Sequence, residues 1–388
     1  MMKCRGCGSI DTDRVLDLGR VPAADFFPLA SSPVSASEAS HPLAMELCRD
    51  CGLAQLAQDD TTTQEPRGVE PQALKEQAAD AVHVLARAGR LLGDTVVEFD
   101  SPHGGSWRPL LAERGYRDPE RGAPADLVID CFGIMHDADQ RAAFEERAAA
   151  VAPDGTLVIQ FHSLHTIVRY GQWNALRHGH FAYYSLTALT RLLAASRMSA
   201  VDAWKFPLYG GSIMVAVRGG ESSDRSNRLA RIVEEEAATG ITRPVVIRQL
   251  QSAADAHADS LRSWLEESAM RGERVFAYGA ASRAVALLSR ARLDRELIRA
   301  VADAADAKQG RRMPGTDIPI ISPDRLVAEK PTRVLLTVPD LLPEVRYRYP
   351  ELEGRWVVDG PPHQAGHSAS LHVSTDGPAR SEHVGTRR

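Results

Sequence analysis

Four of the five cysteines of this chain stand in two Cys-x-x-Cys pairs, Cys4/Cys7 and Cys48/Cys51. No other feature limits the N-terminal fold so strongly. A Cys-x-x-Cys turn brings two thiolates to one ion from the same side, and tetrahedral zinc asks for four soft ligands. Two such pairs about forty residues apart predict a zinc-ribbon-like module over residues 1–57. A disulfide framework is the alternative, disfavoured by a cytoplasmic setting. Four cysteine ligands close the coordination shell, so this zinc would hold a fold and leave no position for catalysis. Cys131, alone in the apolar run LVIDCFG, reads as a buried small residue.

The remaining length and charge set the class. A chain of 388 residues is too long for one ordinary core and accommodates two or three domains. Its 46 basic and 51 acidic side chains leave a net charge of −5, so no global field favours nucleic acid or an anionic membrane. There is no run of eighteen apolar residues. The start, MMKCRGCGSI, has no apolar stretch of the signal-peptide kind. A soluble, cytoplasmic, multidomain protein is expected.

After the cysteine module, residues 58–71 are polar and rich in Thr and Pro and read as a linker. Helical spacing of Leu74, Ala81, Val84 and Leu85 predicts a helix over 72–92. Strands are expected at 95–100, 126–133 and 155–164, with the helix-like DQRAAFEERAAAVA before the last. This alternation predicts a parallel sheet covered by helices. Residues 219–272 form a charged helical connector. A second α/β unit over 273–360 has strands at 274–279, 297–303 and 333–338, and a helix starting near Ala281. The polar end, 361–388, is expected to be disordered. The fold class is therefore α/β: a zinc-ribbon-like module, a Rossmann-like domain over 72–218, and a C-terminal Rossmann-like domain.

With these blocks in place, the chain resembles the deoxysugar C-methyltransferases of antibiotic biosynthesis over about residues 3 to 360. The matching stretches are CRGC, LDLGRVPAADFF and CRDCGLAQL in the first block, then FHSLHTIVRYGQWNALRHGHFAYYSLTAL (161–189) and YGGSIMVAV (209–217), and finally AYGAASRAVALL (277–288) and DAKQGRRMPGTDIPIISPDRL (306–326). The resemblance implies a zinc-binding domain, a central S-adenosylmethionine (SAM) domain and a C-terminal domain, with a nucleotide-sugar between the last two. The family's Tyr-His-Glu-His-x-x-Tyr pattern falls on Arg177-His178-Gly179-His180-Phe181-Ala182-Tyr183. His180 thus takes the place of the catalytic base, with His178 and Tyr183 matching beside it and Arg177 and Gly179 departing. An imidazole suits the removal of a carbon-bound proton made acidic by a ketone. An ordinary core histidine is the bland alternative.

The cofactor half departs further. The family's Glu-x-Gly-Ser-Asn-Asp-Gly turn reads Glu98-Phe99-Asp100-Ser101-Pro102-His103-Gly104 here. Glu98 and Gly104 are the cofactor-binding candidates that persist, whereas Pro102 removes an N–H donor. Spacing makes the same point without the family. Only 29 positions separate Glu98 from Leu127, and one parallel β-α-β crossover takes about 30 or more. Two further strands do not fit, so the central domain is expected to be shortened and SAM binding is counted against.

In the C-terminal unit, the turn GAASR between a strand and a helix can present backbone N–H groups to a diphosphate. Tyr278, Ser282, Arg283 and Lys308 are the substrate-binding candidates, small residues for close packing being the alternative reading. Three functions follow: enolisation of a nucleotide-linked keto-sugar or similar ketone by His180 without methylation, SAM-dependent C-methylation with an unusual pocket, or a non-catalytic binding subunit.

Overall fold

The computed structural model describes residues 3–61, 70–102, 104–222 and 224–360, together with the backbone of the strand His372–Val373. At the N-terminus β1 (Thr12–Val21), β2 (His41–Cys48) and β3 (Ala54–Leu56) pair antiparallel in sequence order.

The central unit begins with α1 (Gln72–Arg87), which buries Leu74, Ala78, Ala81, Val82 and Leu85 along one stripe. It is shorter than the expected 72–92, because the chain turns away through Gly89 and Gly93, both at positive φ. Then come β4 (Val96–Phe99), α2 (Arg108–Ala112), β5 (Ala125–Cys131), α3 (Gln140–Ala150) and β6 (Val151–His162). They are followed by α4 (Leu164–Arg169), β7 (Ala182–Tyr183), α5 (Leu186–Ala195), β8 (Met198–Phe206) and β9 (Ser212–Gly219). The sheet order is β4-β5-β6-β9-β8.

The first three of these strands are parallel, but β9 runs antiparallel to both β6 and β8. The expectation of a parallel sheet holds for the three strands it was made for, and the antiparallel pair β9 and β8 extends them into a mixed sheet. The short turn at 207–211 can join only antiparallel neighbours, since a parallel pair needs a crossover of a dozen residues or more. At the opposite side β4 forms the edge of the sheet. Between Phe99 and Ala125, α2 is the only helix or strand among the described residues.

Strand β7 leaves this sheet altogether. It pairs antiparallel with β3 and completes a four-stranded sheet, β1-β2-β3-β7, in the cysteine module.

The connector consists of α6 (Asn227–Thr239), α7 (Pro244–Ile247) and α8 (Gln249–Met270). The C-terminal unit contains β10 (Val275–Tyr278), α9 (Ser282–Arg290), β11 (Val301–Ala302), β12 (Ile320–Ile321), α10 (Pro323–Ala328), β13 (Arg333–Leu336), α11 (Leu342–Arg348) and β14 (Trp356–Val358). Its order is β12-β11-β10-β13-β14, all parallel, with β15 (His372–Val373) antiparallel beside β14. The order reverses at β10, which opens a crevice beyond the carboxyl ends of β10 and β13. Most of the expected linker and, apart from β15, the expected disordered tail lie outside the described residues.

Packing ties the cysteine module to both larger units. Cys4, Cys48, Cys51 and Leu53 belong to the central core, whereas Val15, Leu16, Leu43 and Met45 share a core with α8, α9 and β10. No helix among the described residues is long and apolar enough to cross a membrane.

Candidate active site

The four paired cysteines come together. Cys4 Sγ lies 3.5 Å from Cys51 Sγ and Cys7 Sγ 3.6 Å from Cys48 Sγ, and all four sulfurs lie within 4.8 Å of one another. Sulfurs around a tetrahedral zinc, at about 2.3 Å from the ion, stand about 3.8 Å apart. The cluster therefore fits a structural zinc, which these residues would hold with a closed shell. Cys131 is buried in β5 and its thiol donates to Gln160 Oε1 at 3.4 Å.

Between the central and C-terminal units lies a cavity of about 240 Å³. From the central side it is lined by Phe132, Met135, His162, Arg177, His180 and Tyr209. The facing wall carries all four substrate-binding candidates, Tyr278, Ser282, Arg283 and Lys308. One space thus joins the expected base to the expected anion-binding turn.

His180 is held through its neighbours in the chain. Gly179, at φ +72°, donates its N–H to Asp59 Oδ2 at 2.6 Å, and its carbonyl accepts from His136 Nδ1 at 2.7 Å. Phe181 donates to Met135 O at 2.8 Å and accepts from Leu56 N at 3.0 Å. Asp59 thus holds the backbone next to His180 with a carboxylate from the cysteine module's side. The His180 ring packs against Tyr183 (centroids 4.5 Å apart) and edge-on to His136 (4.9 Å).

His178 and Tyr183 do not line the cavity, although the Tyr183 ring stands beside that of His180. His178 is 1% exposed and donates from Nε2 to Pro42 O at 3.2 Å, so it faces the cysteine module. Tyr183, fully buried, donates to Ala175 O at 3.2 Å and accepts from Arg177 N at 3.1 Å. Strand β7 draws Tyr183 into the module's sheet, and the turn at Gly179 (φ +72°) leaves His178 bonded to Pro42 while Arg177 and His180 line the cavity. His162, missed from the sequence, ends β6 at the cavity and donates from Nε2 to Gln172 Oε1 at 2.9 Å. Burial, with Arg283 as the next cause, pushes its imidazole down to about 3.

On the facing wall Gly279 adopts φ +99° directly after β10, where any Cβ would collide with Val338. The following Ala280 is fixed from both sides: its N–H donates to Asp303 Oδ2 at 2.8 Å, and its carbonyl accepts from Lys308 Nζ at 2.9 Å. Lys308 thus braces the turn as well as lining the cavity, and it lies over the Phe27 ring at 4.9 Å. Arg283, at the second position of α9, donates to Asn174 Oδ1 at 3.4 Å, while burial lowers its pKa against the opposing pull of Asp340 and Asp359. Asp303, directly after β11, was missed from the sequence, where an acid closing the second strand of a Rossmann-like unit was the available signal.

Glu98 and Gly104 do not line the cavity; Pro102 does. The Glu98 carboxylate accepts the Ser106 hydroxyl at 2.5 Å and the Trp107 N–H at 2.7 Å, so it is spent on starting α2. Gly104 adopts φ +77° in open surroundings. His103 lies outside the described residues.

Residues 207–361 match the family described as "C-methyltransferase C-terminal domain", and residues 4–62 match "Putative zinc binding domain". The chain is thus similar to C-methyltransferases in its N-terminal and C-terminal parts. The C-methyltransferase NovU from Streptomyces niveus is 26% identical over 413 aligned positions, covering 92% of this chain and 95% of that protein. Among solved structures, the Burkholderia thailandensis 1,6-didemethyltoxoflavin-N1-methyltransferase is 13% identical, with a TM-score of 0.30 over 44% of this chain and 97% of its own. The N-methyltransferase NodS from Bradyrhizobium japonicum is 15% identical, with a TM-score of 0.26 over 39% and 100%.

Proposed function

We propose that this C-methyltransferase-like chain binds a nucleotide-linked keto-sugar in the cavity and that His180 removes a proton from the carbon next to the ketone. The carrying observation is the single cavity lined by His180 on one wall and by Ser282, Arg283 and the Gly279 turn on the other. A diphosphate is favoured at the start of α9, where backbone N–H groups and a guanidinium converge. A ketone held across the cavity would then present its acidified C–H to the imidazole.

Deprotonation beside a carbonyl serves epimerisation, isomerisation and methylation alike. We place the chemistry before methyl transfer. Support comes from β4 standing at the sheet edge and from the Glu98 carboxylate being engaged by Ser106 and Trp107. SAM-dependent C-methylation is the second reading, favoured by the alignment with a C-methyltransferase along 92% of the chain.

Deuterium exchange from solvent into the carbon next to the ketone of a dTDP-4-keto-6-deoxy sugar tests the first reading. Exchange is expected from the parent chain and not from His180→Ala; equal exchange by both removes His180 as the base. Calorimetric titration with SAM separates the two readings, because micromolar binding would restore methyl transfer.

A further inference from the structure

Two residues lining the cavity carry left-handed backbone that only glycine adopts freely: Phe132 at φ 61° and Tyr209 at φ 57°. Their rings meet edge to face, with centroids 5.3 Å apart. Such conformations persist where the surroundings impose them, and they gather where a site needs a side chain aimed.

The surroundings of Tyr209 impose it from three directions. It heads the turn Tyr209-Gly210-Gly211 between β8 and β9, and a Cβ at Gly210 or Gly211 would collide with Gln172 or Thr166. Gln172 is the residue that also accepts from His162. From the C-terminal unit, Asp340 reaches across. Burial raises its carboxyl, while Arg283 and backbone hydrogen bonds from Gly210 and Tyr209 oppose that rise. An acid of one unit therefore clasps the strained turn of the other, and the Tyr209 ring is delivered into the cavity that holds His180.

We infer that Tyr209 is a further catalytic residue, whose hydroxyl donates a hydrogen bond to the ketone oxygen of the substrate that His180 deprotonates. This rests on the enolisation reading above. As the imidazole takes the proton, the C–H electron pair becomes the new C=C bond and the carbonyl π pair moves onto oxygen. A donor fixed at that oxygen binds the enolate more strongly than the ketone and so lowers the barrier. Burial, with Cys131 as the next cause, holds the phenol above its ordinary value, so the hydroxyl carries a proton to donate. Reprotonation of the carbon returns the electron pair and completes the exchange.

The test compares Tyr209→Phe with His180→Ala in the full chain, by the same deuterium exchange. Tyr209→Phe is expected to lower kcat by about 100-fold or more, with KM, dTDP affinity and thermal midpoint close to the parent's. Exchange at the parent rate by Tyr209→Phe, with His180→Ala inactive, overturns the role of Tyr209 and leaves the base intact. A Tyr209→Phe chain that melts early or loses dTDP binding shows a structural role and also overturns it. A His180→Ala chain that exchanges normally, or a parent that does not exchange, removes the enolisation reading itself.

Discussion

The backbone N–H of Leu56 donates to the carbonyl of Phe181 at 3.0 Å, and so the last strand of the cysteine module is bonded to the residue that follows His180. Since β3 begins three residues after Cys51, a metal that fixes the cysteine knuckles also fixes the ledge on which the base stands.

The parent chain is accordingly expected to carry about one zinc, lost on Cys48→Ser together with the metal's contribution to folding. Amide hydrogen exchange across 180–183 should quicken in the variant. A folded parent without metal, or unchanged protection at 180–183 in Cys48→Ser, would contradict the coupling.

Acid should weaken the fold through His162. Its folded value, about 3, lies below the ordinary 6.5, so the unfolded chain binds the extra proton between those limits. Stability contributed by keeping this imidazole neutral is complete above pH 6.5 and falls as pH drops toward 3, by about 2 kcal/mol at pH 5. Urea unfolding at pH 7.5 and pH 5 measures this, and His162→Gln should flatten the difference.

Glu38 and Arg312 fasten the cysteine module to the C-terminal unit. Arg312, 2% exposed, pairs with Glu38 Oε1 at 2.5 Å and Oε2 at 2.8 Å, and the guanidinium pulls that carboxyl down to about 2. Glu38→Ala leaves a buried cation without its partner and should cost on the order of 3 kcal/mol. The pair's contribution is full above the ordinary carboxylate value and is lost as pH falls through about 2. A denaturation midpoint in Glu38→Ala equal to the parent's would count against this clasp.

Gly279→Ala should damage the anion-binding turn. At φ +99° and against Val338, an added methyl is both strained and crowded, a cost of about 1–3 kcal/mol. dTDP affinity, measured by calorimetry, should fall along with stability. Unchanged affinity would place the diphosphate elsewhere in the cavity.

Much of the chain was legible before any coordinates. The cysteine pairs announced their cluster because ligand spacing is a local property. α1, β5, β10 and β13 follow from apolar periodicity. The hairpin β8–β9 was missed as a pair of strands, since direction is set by the loop that joins them. His162 and Tyr209 were missed because neither carries a motif of its own; a tyrosine before two glycines is the faint signal that was available.

The sequence by itself determined the residue types: four thiols, an imidazole at 180, a glycine turn and an arginine after β10. Tertiary structure alone decided which of them meet. It drew β7 out of the central unit into the cysteine module, turned His178 and Tyr183 away from the cavity, and brought His180 and Arg283 to its opposite walls. The physical reason is that strand pairing and apolar burial act between residues more than a hundred positions apart, where local periodicity carries no information about the partner.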